Sequence, residues 1–142
     1  MKNREKIERL MNSDNWVSRQ SVAKLLPTWS LEDSLPIAER LLADDHRSVR
    51  QSVIKFLGGR EEATCLELLK IALGDEYHYC RQLAFHALLR IYRPEFFPPM
   101  AKAMQRPDAT MKHRMNLIYP FKDIGDRSFT PILAGWLREL KK

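Results

Sequence analysis

Glycine is scarce, cysteine scarcer, and long apolar runs are absent. Five glycines in 142 residues disfavour glycine-rich strand-and-turn architectures. Two cysteines, Cys65 and Cys80, make no disulfide framework. Both fall at apolar positions of predicted helices, where buried, reduced thiols are expected. No apolar run approaches the roughly 18 residues that span a bilayer. Met1 to Leu10 is charged and periodic, without the apolar core of an export signal. The expectation is a cytoplasmic chain that does not enter a membrane.

The usual marks of chemistry are missing as well. No two histidines stand at i, i+4 on one helix, and no Cys-x-x-Cys occurs. His78 and His86 are eight residues apart, with Gln82 between them where a ligand would be needed. The cluster Tyr77-His78-Tyr79-Cys80 therefore reads as an aromatic turn. There is no phosphate-binding glycine loop, no nucleophile beside a base, and no spaced carboxylate pair. No catalytic residue, metal ligand or cofactor is expected, and the chain is expected not to be an enzyme.

What remains is the composition of a single soluble domain over 1–142. Hydrophobic residues make up 44% and charged residues 30%. Leu, Ala, Arg, Lys and Glu dominate, and these favour helix. The net charge of +6 is unevenly spread. Residues 1–100 carry 15 Lys/Arg against 14 Asp/Glu, whereas 101–142 carry 9 against 4. The basic excess near the C-terminus, at Lys102, Arg106, Lys112, His113, Lys122 and Arg127, suits an acidic partner or nucleic acid. A solvated basic surface gives the same composition.

A repeat organises the chain. Arg19-Gln20-Ser21-Val22, Arg50-Gln51-Ser52-Val53 and Arg81-Gln82-Leu83-Ala84 follow one another at 31-residue spacing. Acidic turns precede each copy at Asp14, Asp44-Asp45 and Asp75-Glu76. A looser fourth copy starts at Asp108 and runs through Arg114, Leu117-Ile118 and Phe121. Glu8-Arg9-Leu10-Met11 recurs as Glu39-Arg40-Leu41-Leu42, so the intervening segments repeat too. Each unit is helix A, an acidic turn, helix B and a second turn. Val49, Val53, Phe56 and Leu57 follow helical spacing, as do Cys80, Leu83, Ala84, Ala87, Leu88 and Ile91. Ser30 with Asp33 forms a candidate capping box, and Asp44, Asp75 and Asp108 suit N-cap or first-turn positions. Gly58-Gly59 suits a helix C-cap. These signals predict helices over 3–12, 15–26, 31–43, 46–57, 62–73, 77–92, 95–105, 109–120 and 128–140. No one pair could bury its apolar face alone, so the pairs must stack.

The run Leu-Leu-x-Asp-Asp-x-x-x-Val-Arg-x-x-Val from Leu41 to Val53 resembles the HEAT repeat family, in the short-unit variety of phycobilisome-lyase-type repeats. Leu10 to Val22 and Leu73 to Ala84 are weaker copies, and the resemblance extends over nearly the whole chain. It implies an all-α, right-handed α-α superhelix of about four and a half helix pairs. It also implies a scaffold or adaptor whose concave face is lined by B helices. A minority of such proteins act on ligands, among them bilin lyases and HEAT-like alkylpurine DNA glycosylases.

Within that frame, Arg19, Arg50, Arg81 and Arg114 are expected to pair with the acids Asp14, Asp45, Glu76 and Asp108 and to stitch neighbouring repeats. The outward rows of the B helices are Gln20, Gln51, Gln82 and Lys24, Lys55, His86, continued by Met115 and Tyr119 with Lys112 close by. Glutamine both donates and accepts hydrogen bonds, and lysine supplies free positive charge. Gln20, Lys24, Gln51, Lys55, Gln82, His86, Lys112 and Tyr119 are accordingly the candidate binding residues. Solvated helix faces use the same residue types. The expected partner is a protein or peptide, with an acidic one favoured; nucleic acid and a pigment-lyase role are the alternatives. Trp16, Trp29 and Trp136 suit base stacking, and Trp16 and Trp29 also suit covering the end of the stack. Oligomeric state stays open.

Overall fold

Eight α-helices are present in the computed structural model, which describes residues 3–109, 114, 127 and 130–140. They are α1 Arg4–Met11, α2 Trp16–Leu25, α3 Leu31–Leu42, α4 Arg47–Leu57, α5 Ala63–Ala72, α6 His78–Arg90, α7 Phe97–Met104 and α8 Thr130–Leu140. Short 3-10 turns at Leu26–Thr28 and Pro94–Phe96 carry the prolines that separate pairs. The predicted helix over 109–120 lies outside the described residues apart from Arg114, itself helical.

The stack follows from where apolar side chains fall. Within each pair α1 packs on α2, α3 on α4, and α5 on α6. Between pairs α2 packs on α4, α4 on α6, and α3 on α5. This is an all-α solenoid with A helices in one layer and B helices in the other. Val49, Val53 and Leu57 are wholly buried and Phe56 nearly so, as their spacing predicts. In α6 the outcome differs in part. Cys80, Ala84, Ala87 and Leu88 are buried, but Leu83 and Ile91 are only half-buried, while Phe85 is fully enclosed. An inner B helix touches A helices on one side and a B helix on either flank, so its buried arc is wider than one stripe.

Local chemistry sets the helix ends. Ser30 caps α3, its Oγ accepting from the Asp33 N–H at 3.2 Å. Asn15 caps α2 and His46 caps α4, their side chains accepting from Val17 and Ser48 N–H. Asp44 and Asp75 are not the caps expected of them. Each stands two residues earlier and accepts the N–H of the true N-cap, His46 at 2.8 Å and Tyr77 at 2.9 Å. Gly58 does end α4, but with φ −67° rather than in a left-handed cap. A Cβ there would lie 3.3 Å from the Ile54 carbonyl, a tight contact, and 3.4 Å from the Ala87 Cβ, an ordinary one.

Both cysteines are free and fully buried. Burial, then the Asp75 charge, pushes the Cys80 thiol up to about 11. Burial likewise raises Cys65. At neutral pH neither side chain supplies thiolate, the reactive form. Ellman's reagent should therefore find no reactive thiol in the native protein at pH 7.5 and both after denaturation; rapid native labelling of either cysteine would contradict this packing.

Candidate partner-binding face

The B helices are held in register by one repeated ion-pair device at the turn edge. Arg19 Nε donates to Asp44 Oδ2 at 2.7 Å, and its Nη2 donates to Asp44 Oδ1 and to Asp45. Arg50 treats Asp75 identically, at 2.8 and 3.2 Å, with Glu76 at 3.8 Å. Arg81 reaches Asp108 at 3.2 Å, and Arg114 reaches Glu139 at 2.6 Å. Arg19, Arg50 and Arg81 also donate backward, to the Ser13, Asp44 and Asp75 carbonyls. One guanidinium thus clamps its own turn and the next repeat's aspartate.

The main acceptors are Asp44 and Asp75, rather than the expected Asp45 and Glu76, which stand almost fully in solvent. Nor does Asp14 serve Arg19, whose carboxylate partners lie one repeat further on. The reason is positional. Only the first acid of each turn can take the N-cap amide and the arginine together. In the first turn Ser13 stands in place of the aspartate, and its Oγ accepts the Asn15 N–H at 3.1 Å.

A second rung lies beside the first. Trp16 stacks on His46 at 4.1 Å between centroids with 6° between planes. One repeat on, Arg47 lies over Tyr77 at 4.7 Å. Trp16 is thus engaged within the stack, and Trp136 is buried with Arg114 over its ring at 5.1 Å. Trp29 is half-buried and packs against the core.

These rungs leave one open strip on each B helix. On α4 it comprises Ser48, Gln51, Ser52 and Lys55, while Val49, Arg50, Val53, Ile54, Phe56 and Leu57 are buried. The equivalent strips are Val17, Gln20, Ser21, Lys24 on α2 and Tyr79, Gln82, Leu83, His86 on α6. Three adjacent helices present four positions each, and six of the eight sequence-predicted residues lie on this grid. Lys112 and Tyr119 lie outside the described residues.

The six are not equivalent. Lys24 and Lys55 are exposed, without an ion-pair partner among the described residues. Gln51 and Gln82 are half-buried, and their carboxamides have no hydrogen-bond partner among the described residues. Gln20 is otherwise employed, its Nε2 donating to the Ser48 carbonyl at 3.4 Å and to Ser52 Oγ at 3.3 Å. His86 is half-buried, and burial followed by the Arg90 charge lowers its pKa, so it is neutral at pH 7. Sequence reasoning missed the row Val17, Ser48, Tyr79, although the same 31-residue spacing one turn earlier would have found it. Val17 is 51% and Tyr79 39% exposed, which gives the strip apolar contact points.

The ladder carries the stability prediction. Arg50 and Asp75 side chains are 8% and 6% exposed, and removing one partner of such a pair costs about 3–5 kcal/mol. Asp75→Ala should lower unfolding free energy in denaturant titration by about 3 kcal/mol, whereas Glu76→Ala should cost under about 0.5 kcal/mol. Equal effects would refute the assignment. Burial disfavours ionised Asp44, but hydrogen bonds from Arg19 and the His46 N–H outweigh it and hold its pKa below the ordinary value. A carboxyl depressed by folding binds fewer protons when folded. Its contribution is full above about pH 3.9 and is lost as pH falls through the lower folded value. Asp44→Asn should flatten that acid limb of the stability curve.

Among the described residues no helix is long and apolar enough to cross a membrane. A family model described as HEAT repeats matches residues 5–89, from α1 into α6. No curated protein matches the chain.

Proposed function

The chain belongs to the HEAT repeat family, and from that premise we propose that it is a non-enzymatic adaptor, working in the cytoplasm, that holds a protein or peptide across the open strips of α2, α4 and α6. HEAT repeats are generally protein-interaction scaffolds. The 31-residue unit supports an affinity with the short-unit, phycobilisome-lyase-type repeats, with the lyase chemistry itself absent from the proposal. The observation that carries this reading is the pair Gln51 and Gln82. Two half-buried carboxamides, one repeat apart, have no hydrogen-bond partner among the described residues and lie on a face with apolar contacts at Val17 and Tyr79. A peptide backbone offers the complementary donor and acceptor at each residue.

The edge cavities are less suited to this task. One of about 480 Å³ at the turn edge is lined by Asp45, His46, Arg47, Arg50, Glu76 and Tyr77, most of them committed to the rungs. The strips run across three neighbouring helices, which suits an extended segment better than a compact pigment.

Selection from a random peptide library, followed by amide hydrogen exchange on the selected complex, tests the proposal. Protection should concentrate on α2, α4 and α6. Gln51→Ala should weaken the selected peptides by about fivefold to tenfold, the worth of one or two hydrogen bonds. Protection confined to α1, α3 and α5, or indifference to Gln51→Ala, would refute it.

A further inference from the structure

The grid's free charge has one sign. Helices α2, α4 and α6 contain no aspartate or glutamate at all. The A helices beside them carry Glu5, Glu8, Glu32, Asp33, Glu39 and Glu67. Among the arginines of the B helices, Arg19, Arg50 and Arg81 are paired with carboxylates in the ladder, whereas Arg47 over Tyr77 and exposed Arg90 on the Gly58 carbonyl keep their charge. Asp44 and Asp75 are spent on the same ladder, and the exposed Asp45 and Glu76 stand at the opposite, N-terminal ends of the B helices. Just beyond α4, Glu61 and Glu62 line one cavity with Lys55, and Glu62 lies 3.7 Å from Arg60. At the strip positions of the described residues the cations are Lys24 and Lys55, in equivalent positions of adjacent helices. Along the same row the third helix offers neutral His86, flanked by half-buried Leu83 and exposed Tyr79.

Spacing turns this pattern into a sequence preference. Packed helices lie roughly 8–10 Å apart. In a polyproline II conformation an extended chain advances about 3.1 Å per residue with three residues per turn, so side chains three residues apart point the same way and span the distance between neighbouring strips. Resting on the reading of the strips as a binding face, we infer that the occupant is an extended acidic segment with two carboxylates three residues apart, over Lys24 and Lys55, and a large apolar residue three further on, against Tyr79 and Leu83. A nucleic acid is the less favoured polyanion. Among the described residues only two of the twelve strip positions are cationic, and those on the third helix, Tyr79, Gln82, Leu83 and His86, offer a phosphate chain no charge.

Fluorescence anisotropy with labelled synthetic peptides tests this directly. The probes are Glu-Gly-Ser-Glu-Gly-Ser-Leu, its reversed sequence, and versions with both Glu replaced by Gln or placed side by side. A single-stranded oligonucleotide is the comparator. One Glu-x-x-Glu peptide should bind at low salt, and its Gln version should bind at least about tenfold more weakly. Lys24→Glu with Lys55→Glu should abolish the difference while leaving the thermal midpoint unchanged, since both side chains are exposed and unpaired. Lys24→Gln with Lys55→Gln should reduce it.

The inference is overturned by equal binding of Glu and Gln peptides, by insensitivity to the lysines, or by no binding up to about 1 mM. Tighter, lysine-dependent binding of the oligonucleotide would overturn it in favour of nucleic acid. If library selection yields neutral peptides that still protect α2, α4 and α6, the acidic preference fails alone. If no peptide protects those helices, the binding face itself fails.

Discussion

Register between repeats depends on a guanidinium with two simultaneous obligations. Apolar helix faces can slide or tilt against each other at modest cost, because dispersion and burial are not directional. A planar fork that must meet a carbonyl six residues back and a carboxylate 25 residues ahead has far fewer solutions. Each aspartate is equally constrained, accepting the arginine of the preceding repeat and the first amide of its own helix B. We attribute the alignment of α2, α4 and α6 to this double clamp, and their cohesion to the apolar core beneath it.

Alignment is what makes a usable face. A B helix flanked by two others and backed by A helices has only about a third of its circumference left open. Helical geometry assigns that arc to positions i, i+3, i+4 and i+7. With the helices in register, the 31-residue spacing becomes a lateral spacing of one helix diameter. Side chains remote in sequence then act together, and a linear partner can read them in order.

Much of this was legible in the chain itself. The period appears in Arg-Gln-Ser-Val, and helical spacing of Val49, Val53, Phe56 and Leu57 predicted the buried face. The outward positions 20, 24, 51 and 55 follow from the same periodicity. Other features were hidden because they depend on neighbours. In Asp44-Asp45 and Asp75-Glu76 two adjacent acids are indistinguishable by type, and only the path of the turn selects the first. Gln20 is bonded to Ser48 and Ser52 while Gln51 has no such partners, because the places of those serines are taken by Tyr79 and Leu83 in the next repeat. Gly58 looked like a left-handed cap, but its φ is −67°. Trp16 looked available until His46, 30 residues away, covered its ring.

One irregularity in the ladder bears on how the stack comes apart. Arginine and its forward carboxylate are 25 residues apart at Arg19–Asp44, Arg50–Asp75 and Arg114–Glu139, but 27 apart at Arg81–Asp108. Two extra residues therefore enter between α6 and the following turn. There the carboxylate is half exposed and shared with Arg106, and only one guanidinium nitrogen of Arg81 engages it. The chain thus contains a phase slip, as a crystal contains a dislocation. Strain or heat would part the molecule at that fault first, freeing the C-terminal portion while the three N-terminal pairs keep their order.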